Sequence, residues 1–100
     1  MRSDAPVAVR VLGKSFTITA VPGLRDREGA YGTCDGAAQD IKYDPEPHRE
    51  QVADTLLHEV VHAVDEAMGT SMSERQVRGI ATGLLGVFKD NPAFLKFITT

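Results

Sequence analysis

Val52-Ala53-Asp54-Thr55-Leu56-Leu57-His58-Glu59-Val60-Val61-His62-Ala63-Val64-Asp65-Glu66-Ala67-Met68 is the stretch on which the fold turns. Its apolar residues recur at steps of three and four: Val52, Ala53, Leu56, Leu57, Val60, Val61, Val64, Ala67 and Met68. That is the period of an α-helix with one apolar face. The spacing predicts a helix from about His48 to Met68. Pro45 and Pro47 fit at or before its first turn, and Gly69 is a natural stop.

Toward the N-terminus the period drops to two. Val7, Val9 and Val11 alternate with Ala8 and Arg10, and Phe16, Ile18 and Ala20 with Thr17 and Thr19. Leu12-Gly13-Lys14-Ser15 reads as a tight turn of type II′, with Gly13 at its first central position. A hairpin of Val7–Leu12 with Ser15–Val21 follows, ended by Pro22-Gly23. The charged run Leu24–Gly29 reads as loop. Ala30–Cys34 and Gln39–Tyr43 read as two further short strands, with Asp35-Gly36 supplying the turn.

Toward the C-terminus, Thr70–Ser73 links to a second helix with the stripe Val77, Ile80, Ala81, Leu84, Leu85 and Phe88. Gly79, Gly83 and Gly86 each weaken that helix by roughly 1 kcal/mol against Ala, so it depends on tertiary packing. Asn91-Pro92 opens a short final helix through about Ile98. The expectation is an α+β fold in one domain over residues 1–100. It has a small antiparallel sheet, hairpin plus two short strands, packed on the His58-containing helix and a second C-terminal helix.

Composition narrows the class. A length of 100 residues suits one domain, and 42% hydrophobic with 25% charged residues is ordinary for a soluble globule. A net charge of −3 argues against nucleic acid as the main partner. The single cysteine, Cys34, excludes a disulfide within the chain and reads as a small packing residue. Met1–Pro6 has no apolar signal-like run, and no stretch approaches the roughly 20 apolar residues of a membrane span. A cytoplasmic protein with no membrane partner is expected.

His58 and His62 lie four residues apart on the expected helix, hence about 40° apart around its axis and one turn apart along it. Two imidazoles so placed can bind one tetrahedral zinc, Zn2+, at roughly 2.0–2.1 Å each. In an H-E-x-x-H site the glutamate, here Glu59, does not bind the metal. It takes a proton from the attacking water and can return one to the leaving amine. Three specified positions also arise by chance, and the competing reading is two part-exposed histidines beside a solvated Glu59. Mid-helix placement with apolar Leu57, Val60 and Val61 around the motif favours the site.

A catalytic zinc needs a third protein ligand. Glu74 heads the face 74, 77, 81, 84, 88, where an acidic group needs a partner. Its competing role is a capping box in Ser71-Met72-Ser73-Glu74. Asp65 is the fallback ligand, with an outer role as acceptor for a histidine N–H as its alternative. His48 is a distant third candidate. Were the second helix simply to run back antiparallel, Glu74 would lie near the level of Met68. That is about 9 Å along the axis from His62. Glu74 closes that gap only if the link Gly69–Ser73 bends the second helix toward the metal.

Tyr31-Gly32-Thr33, Ile41-Lys42-Tyr43, Thr55–Val64 and the Glu74 helix together resemble small phage and prophage metallopeptidases, compact relatives of the ImmA/IrrE metallo-endopeptidase family. The resemblance covers about residues 30–90. It implies a zincin-like, gluzincin-like fold, His58, His62 and Glu74 as zinc ligands, and Glu59 as general base. Two departures are the short gap from His62 to Glu74 and the run Gly86-Val87-Phe88 in place of a proline-containing ending. Family members that cleave repressors carry a DNA-binding module for which this length leaves no room, so the substrate is not inherited.

The expected function is zinc-dependent hydrolysis of peptide bonds in a protein or peptide substrate. An edge strand, Ala30–Cys34 or Gln39–Tyr43, would hold the substrate by backbone pairing. Tyr31, Tyr43 and Arg78 are open candidates for an oxyanion donor. The alternatives are a zincin-like protein-binding module without useful turnover, and a structural zinc site closed by a fourth ligand such as Asp65.

Overall fold

Val11 and Lys14 face each other across the two-residue turn Leu12-Gly13 in the computed structural model, which describes residues 5–100. Leu12 and Gly13 both take positive φ, 49° and 88°. This is the signature of a type I′ turn, whose twist suits a hairpin, and not the type II′ turn expected from Gly13. It joins β1 (Ala8–Val11) to β2 (Lys14–Ala20). Val11, Phe16 and Ile18 are buried from this hairpin.

The run expected as a loop contains a short helix, α1 (Leu24–Glu28). Five residues are too few to display a 3.6-residue period, so its charges hid it. Gly23 and Gly29, both left-handed, bracket it, and buried Leu24 anchors it. Its first turn is tied from a distance, because the Asp44 carboxylate accepts the Arg25 N–H at 3.1 Å.

β3 (Gly32–Asp35) and β4 (Asp40–Tyr43) form a second hairpin. Asp35 Oδ1 accepts the N–H groups of Ala37 and Ala38 at 3.1 and 3.0 Å, which shapes its turn. The sheet order is β1-β2-β4-β3, and β2 pairs with β4 in parallel, Ile18 opposite Ile41. The fold is α+β as expected, but the sheet is mixed, not purely antiparallel. Parallel neighbours need a crossover. Here the chain through α1 and β3 supplies it and brings β4, with fully buried Ile41, to the interior.

α2 (Arg49–Met68) lies on the sheet and carries the core on two fronts. Val52, Leu56, Val60, Ala63 and Val64 pack with Val11, Phe16, Ile18, Ile41 and Tyr43. On its next face Leu57 and Val61 pack against Val77 and Ala81 of α3 (Glu74–Asp90), both fully buried. α4 (Pro92–Thr99) touches the rest through α3 and buries no residue. The outer part of the expected stripe, Ile80 and Leu84, stays about two-fifths exposed, and Met68 is exposed. No described helix is long and apolar enough to cross a membrane.

Candidate metal centre

The two packing fronts of α2 fix where its histidines point. At about 100° per residue, the face carrying His58 and His62 falls between the face on α3 and the face toward β3. Their ring centroids are 4.9 Å apart. Both Nε2 atoms turn to the same carboxylate: His58 to Glu74 Oε1 at 2.5 Å and His62 to Glu74 Oε2 at 2.9 Å. One ligand atom from each of the three residues lies within 4.8 Å of the others. Burial raises the Glu74 pKa, but the two histidines outweigh it and hold the carboxyl below its usual value.

Glu74 reaches the histidines because the link between the helices is bent. Gly69 ends α2 in the left-handed region at φ 66°, and Ser71 takes φ 55°. The competing role expected for Glu74 falls to other residues. Ser73, not Ser71, caps α3, its Oγ accepting the Gln76 N–H at 3.1 Å while Gln76 Oε1 accepts the Ser73 N–H at 2.8 Å. Glu74 therefore occupies the first helical position with its carboxylate free to face α2.

Glu59 is only 6% exposed, and no hydrogen bond to its carboxylate is made among the described residues. Burial pushes its pKa up to about 7, with His62 opposing and Glu74 reinforcing the rise. Two residues that the sequence did not single out make its space. A Cβ on Gly32 would fall 2.6 Å from Thr55 Cγ2 and 3.1 Å from Glu59 Oε2. Thr55 in turn accepts the Gln51 side-chain N–H at 3.1 Å. No local pattern marks this contact, because it joins β3 to α2 across the fold.

His58, Glu59, His62 and Glu74 line one open cavity of about 610 Å3 with Tyr31, Gly32, Thr55, Arg78 and Thr82. Tyr31, stacked under the Arg25 guanidinium at 5.4 Å, and Arg78 thus stay beside the centre. Tyr43 is buried in the core and leaves the set of oxyanion candidates. Gln39–Tyr43 also drops out as an edge strand, since β4 is interior while β3 is at the edge. Asp65 is not in the ligand group: its Oδ1 accepts from Thr70 Oγ1 and from the Met72 N–H at 2.9 Å. These two bonds, the Thr70 one foremost, lower its pKa. His48 is exposed just before α2 and outside the group. Cys34 is half-buried against the core, and burial, then nearby carboxylates, push its thiol up to about 11.

No family model, curated protein or solved structure matches the chain. The test of the centre is therefore its own chemistry. Two imidazole nitrogens and a carboxylate are a donor set that divalent first-row metals accept with a position left open. The Glu59 carboxylate beside them, buried and without a hydrogen bond among the described residues, is a group that a water at such a centre would satisfy. On both counts the residues fit a metal ion.

Proposed function

We propose that the chain is a zinc-dependent peptidase, with His58, His62 and Glu74 holding the metal and Glu59 acting as general base. One observation carries this reading: both Nε2 atoms converge on Glu74 while the neighbouring Glu59 is buried with no hydrogen-bonding partner among the described residues. The resemblance of the motif and the Glu74 helix to the ImmA/IrrE metallo-endopeptidases points the same way.

A bound zinc supplies Lewis-acid chemistry, polarising the scissile carbonyl and lowering the pKa of water toward about 7. The chain supplies the proton path. Glu59 takes the proton of the attacking water, and the same carboxyl delivers it to the leaving amine. The free edge of β3 borders the cavity through Tyr31 and Gly32, where an extended peptide can add as a further strand. Tyr31 and Arg78 line the same cavity and are the candidates for a donor to the developing oxyanion.

The test is metal analysis joined to hydrolysis of a peptide library. About one zinc per chain is expected, lost in the double variant His58→Ala, His62→Ala. Glu59→Gln should keep zinc and lose about 10²–10⁴-fold in turnover. Undiminished zinc in the double histidine variant, or full turnover in Glu59→Gln, would sink the proposal. Zinc binding with no Glu59-dependent turnover in the wild type would select a binding module instead.

A further inference from the structure

We infer that Asp65 is a positioning residue that clasps the link between α2 and α3 and thereby sets Glu74 on the two histidines. The inference rests on the metal-site reading above and deepens it.

Glu74 is poorly held by packing. Its side chain is 55% exposed, and its ion pairs are with the two imidazoles. Its place is therefore decided by where the first turn of α3 begins. Ser73 and Gln76 fix how that turn starts, but they bond to each other and not to α2, so they do not aim it. The link itself is short and has few apolar anchors; only Met72 packs inward, beside Val61, Val77 and Ala81.

Asp65 ties this link at four points. Its backbone oxygen accepts the N–H groups of Gly69 at 2.9 Å and Thr70 at 3.2 Å. Its side-chain Oδ1 accepts Thr70 Oγ1 and the Met72 N–H at 2.9 Å. The backbone bonds are ordinary helix-end geometry. The carboxylate bonds are not: they draw residues 70–72 back over the last turn of α2. Ser73 and Glu74 follow directly. This answers the geometric problem in the sequence, where a simple antiparallel return leaves Glu74 about 9 Å along the axis from His62. Asp65 lies three residues after His62, on the flank of α2 from which the link can be pulled toward the histidine face.

The test compares wild type, Asp65→Ala, Glu74→Ala and the double variant for zinc affinity by chelator competition, with circular dichroism to confirm folding. Asp65→Ala should weaken zinc binding about 10–100-fold, the range for groups that orient a ligand. It should add no further loss in the Glu74→Ala background. Equal losses in both backgrounds, or wild-type affinity in a folded Asp65→Ala, overturn the inference. Thr70→Val, which removes one of the two carboxylate bonds, should weaken binding in the same direction by less. It decides the matter should Asp65→Ala fail to fold, and unchanged affinity there overturns the inference.

A second readout uses no metal. The ring 15N shifts of His58 and His62 in chelator should move in Asp65→Ala toward their Glu74→Ala values; rings that stay at wild-type shifts overturn the clasp. A wild type that binds no zinc sinks the peptidase reading, while these shifts still decide the role of Asp65.

Discussion

Gly32 shows how one absent side chain serves the site. A methyl group there would press on Thr55, on Glu59 and, at 3.1 Å, on the Lys42 backbone oxygen. Neither the backbone oxygen nor buried Thr55 can yield cheaply. Gly32→Ala should cost about 1–3 kcal/mol in a thermal melt, as other overpacked sites do. On the proposed peptidase reading it should also lower turnover more than zinc affinity, since it displaces the proposed base and not the proposed ligands. Gly36→Ala is the control. The three atoms nearest its Cβ all belong to the carboxylate end of Glu66, which can swing away, so stability should stay within about 0.5 kcal/mol. At this scale the sequence was legible for His58, Glu59 and His62, because helical spacing alone puts two imidazoles on one face. It gave no role of their own to Gly32 and Thr55, which lie in the stretches that carry the resemblance but whose importance lies in a contact between distant segments.

At the scale of elements, α2 and α3 could be read from periodicity, and their boundaries came within a residue or two. The ends were harder. The capping box considered as the competing role of Glu74, with Ser71 as its cap, is formed instead by Ser73 and Gln76. Ser-x-x-Glu and Ser-x-x-Gln both occur here, and local sequence offers no means of choosing between registers two residues apart. Ser73→Ala should therefore cost about 0.5–2 kcal/mol, measured by urea titration. Because Glu74 is the next residue, the same variant should weaken zinc binding. Ser71→Ala, which removes no cap bond, should leave zinc binding unchanged. The short helix α1 and the parallel β2–β4 pair escaped sequence reading for a shared reason. Each is stabilised by partners far along the chain, Asp44 for α1 and the interior seat of Ile41 for β4.

Across the whole molecule, Asp44 joins regions that no single element connects. Its carboxylate accepts the Glu46 N–H at 3.0 Å before α2 and the Arg25 N–H at 3.1 Å in α1, while its own N–H is held by Tyr31 O at 2.8 Å. The bond from Glu46 is the chief cause that lowers its pKa below the ordinary carboxylate value. A carboxyl depressed on folding adds stability above its unfolded pKa and loses it as pH falls through its folded pKa. Melts from pH 7 down to pH 2 should show this loss on the acid side. Asp44→Asn should be less stable at pH 7 and show a shallower acid limb. Chelation tests a second global property. The core of sheet, α2 and α3 contains none of the three proposed ligands, so, if the chain binds zinc as proposed, stripping it should lower Tm without unfolding the chain. Unfolding on chelation would mark a structural metal instead.

By itself the order of residues determined α2, α3, the strand segments and the pair of imidazoles one turn apart, because these follow from periods of two and 3.6 within a short window. The meeting of Glu74 with those imidazoles, the burial of Glu59 against Gly32 and the parallel pairing of β2 with β4 were decided only in three dimensions. Each depends on how segments separated along the chain are turned toward one another, and that is set by packing and by a few long-reaching hydrogen bonds.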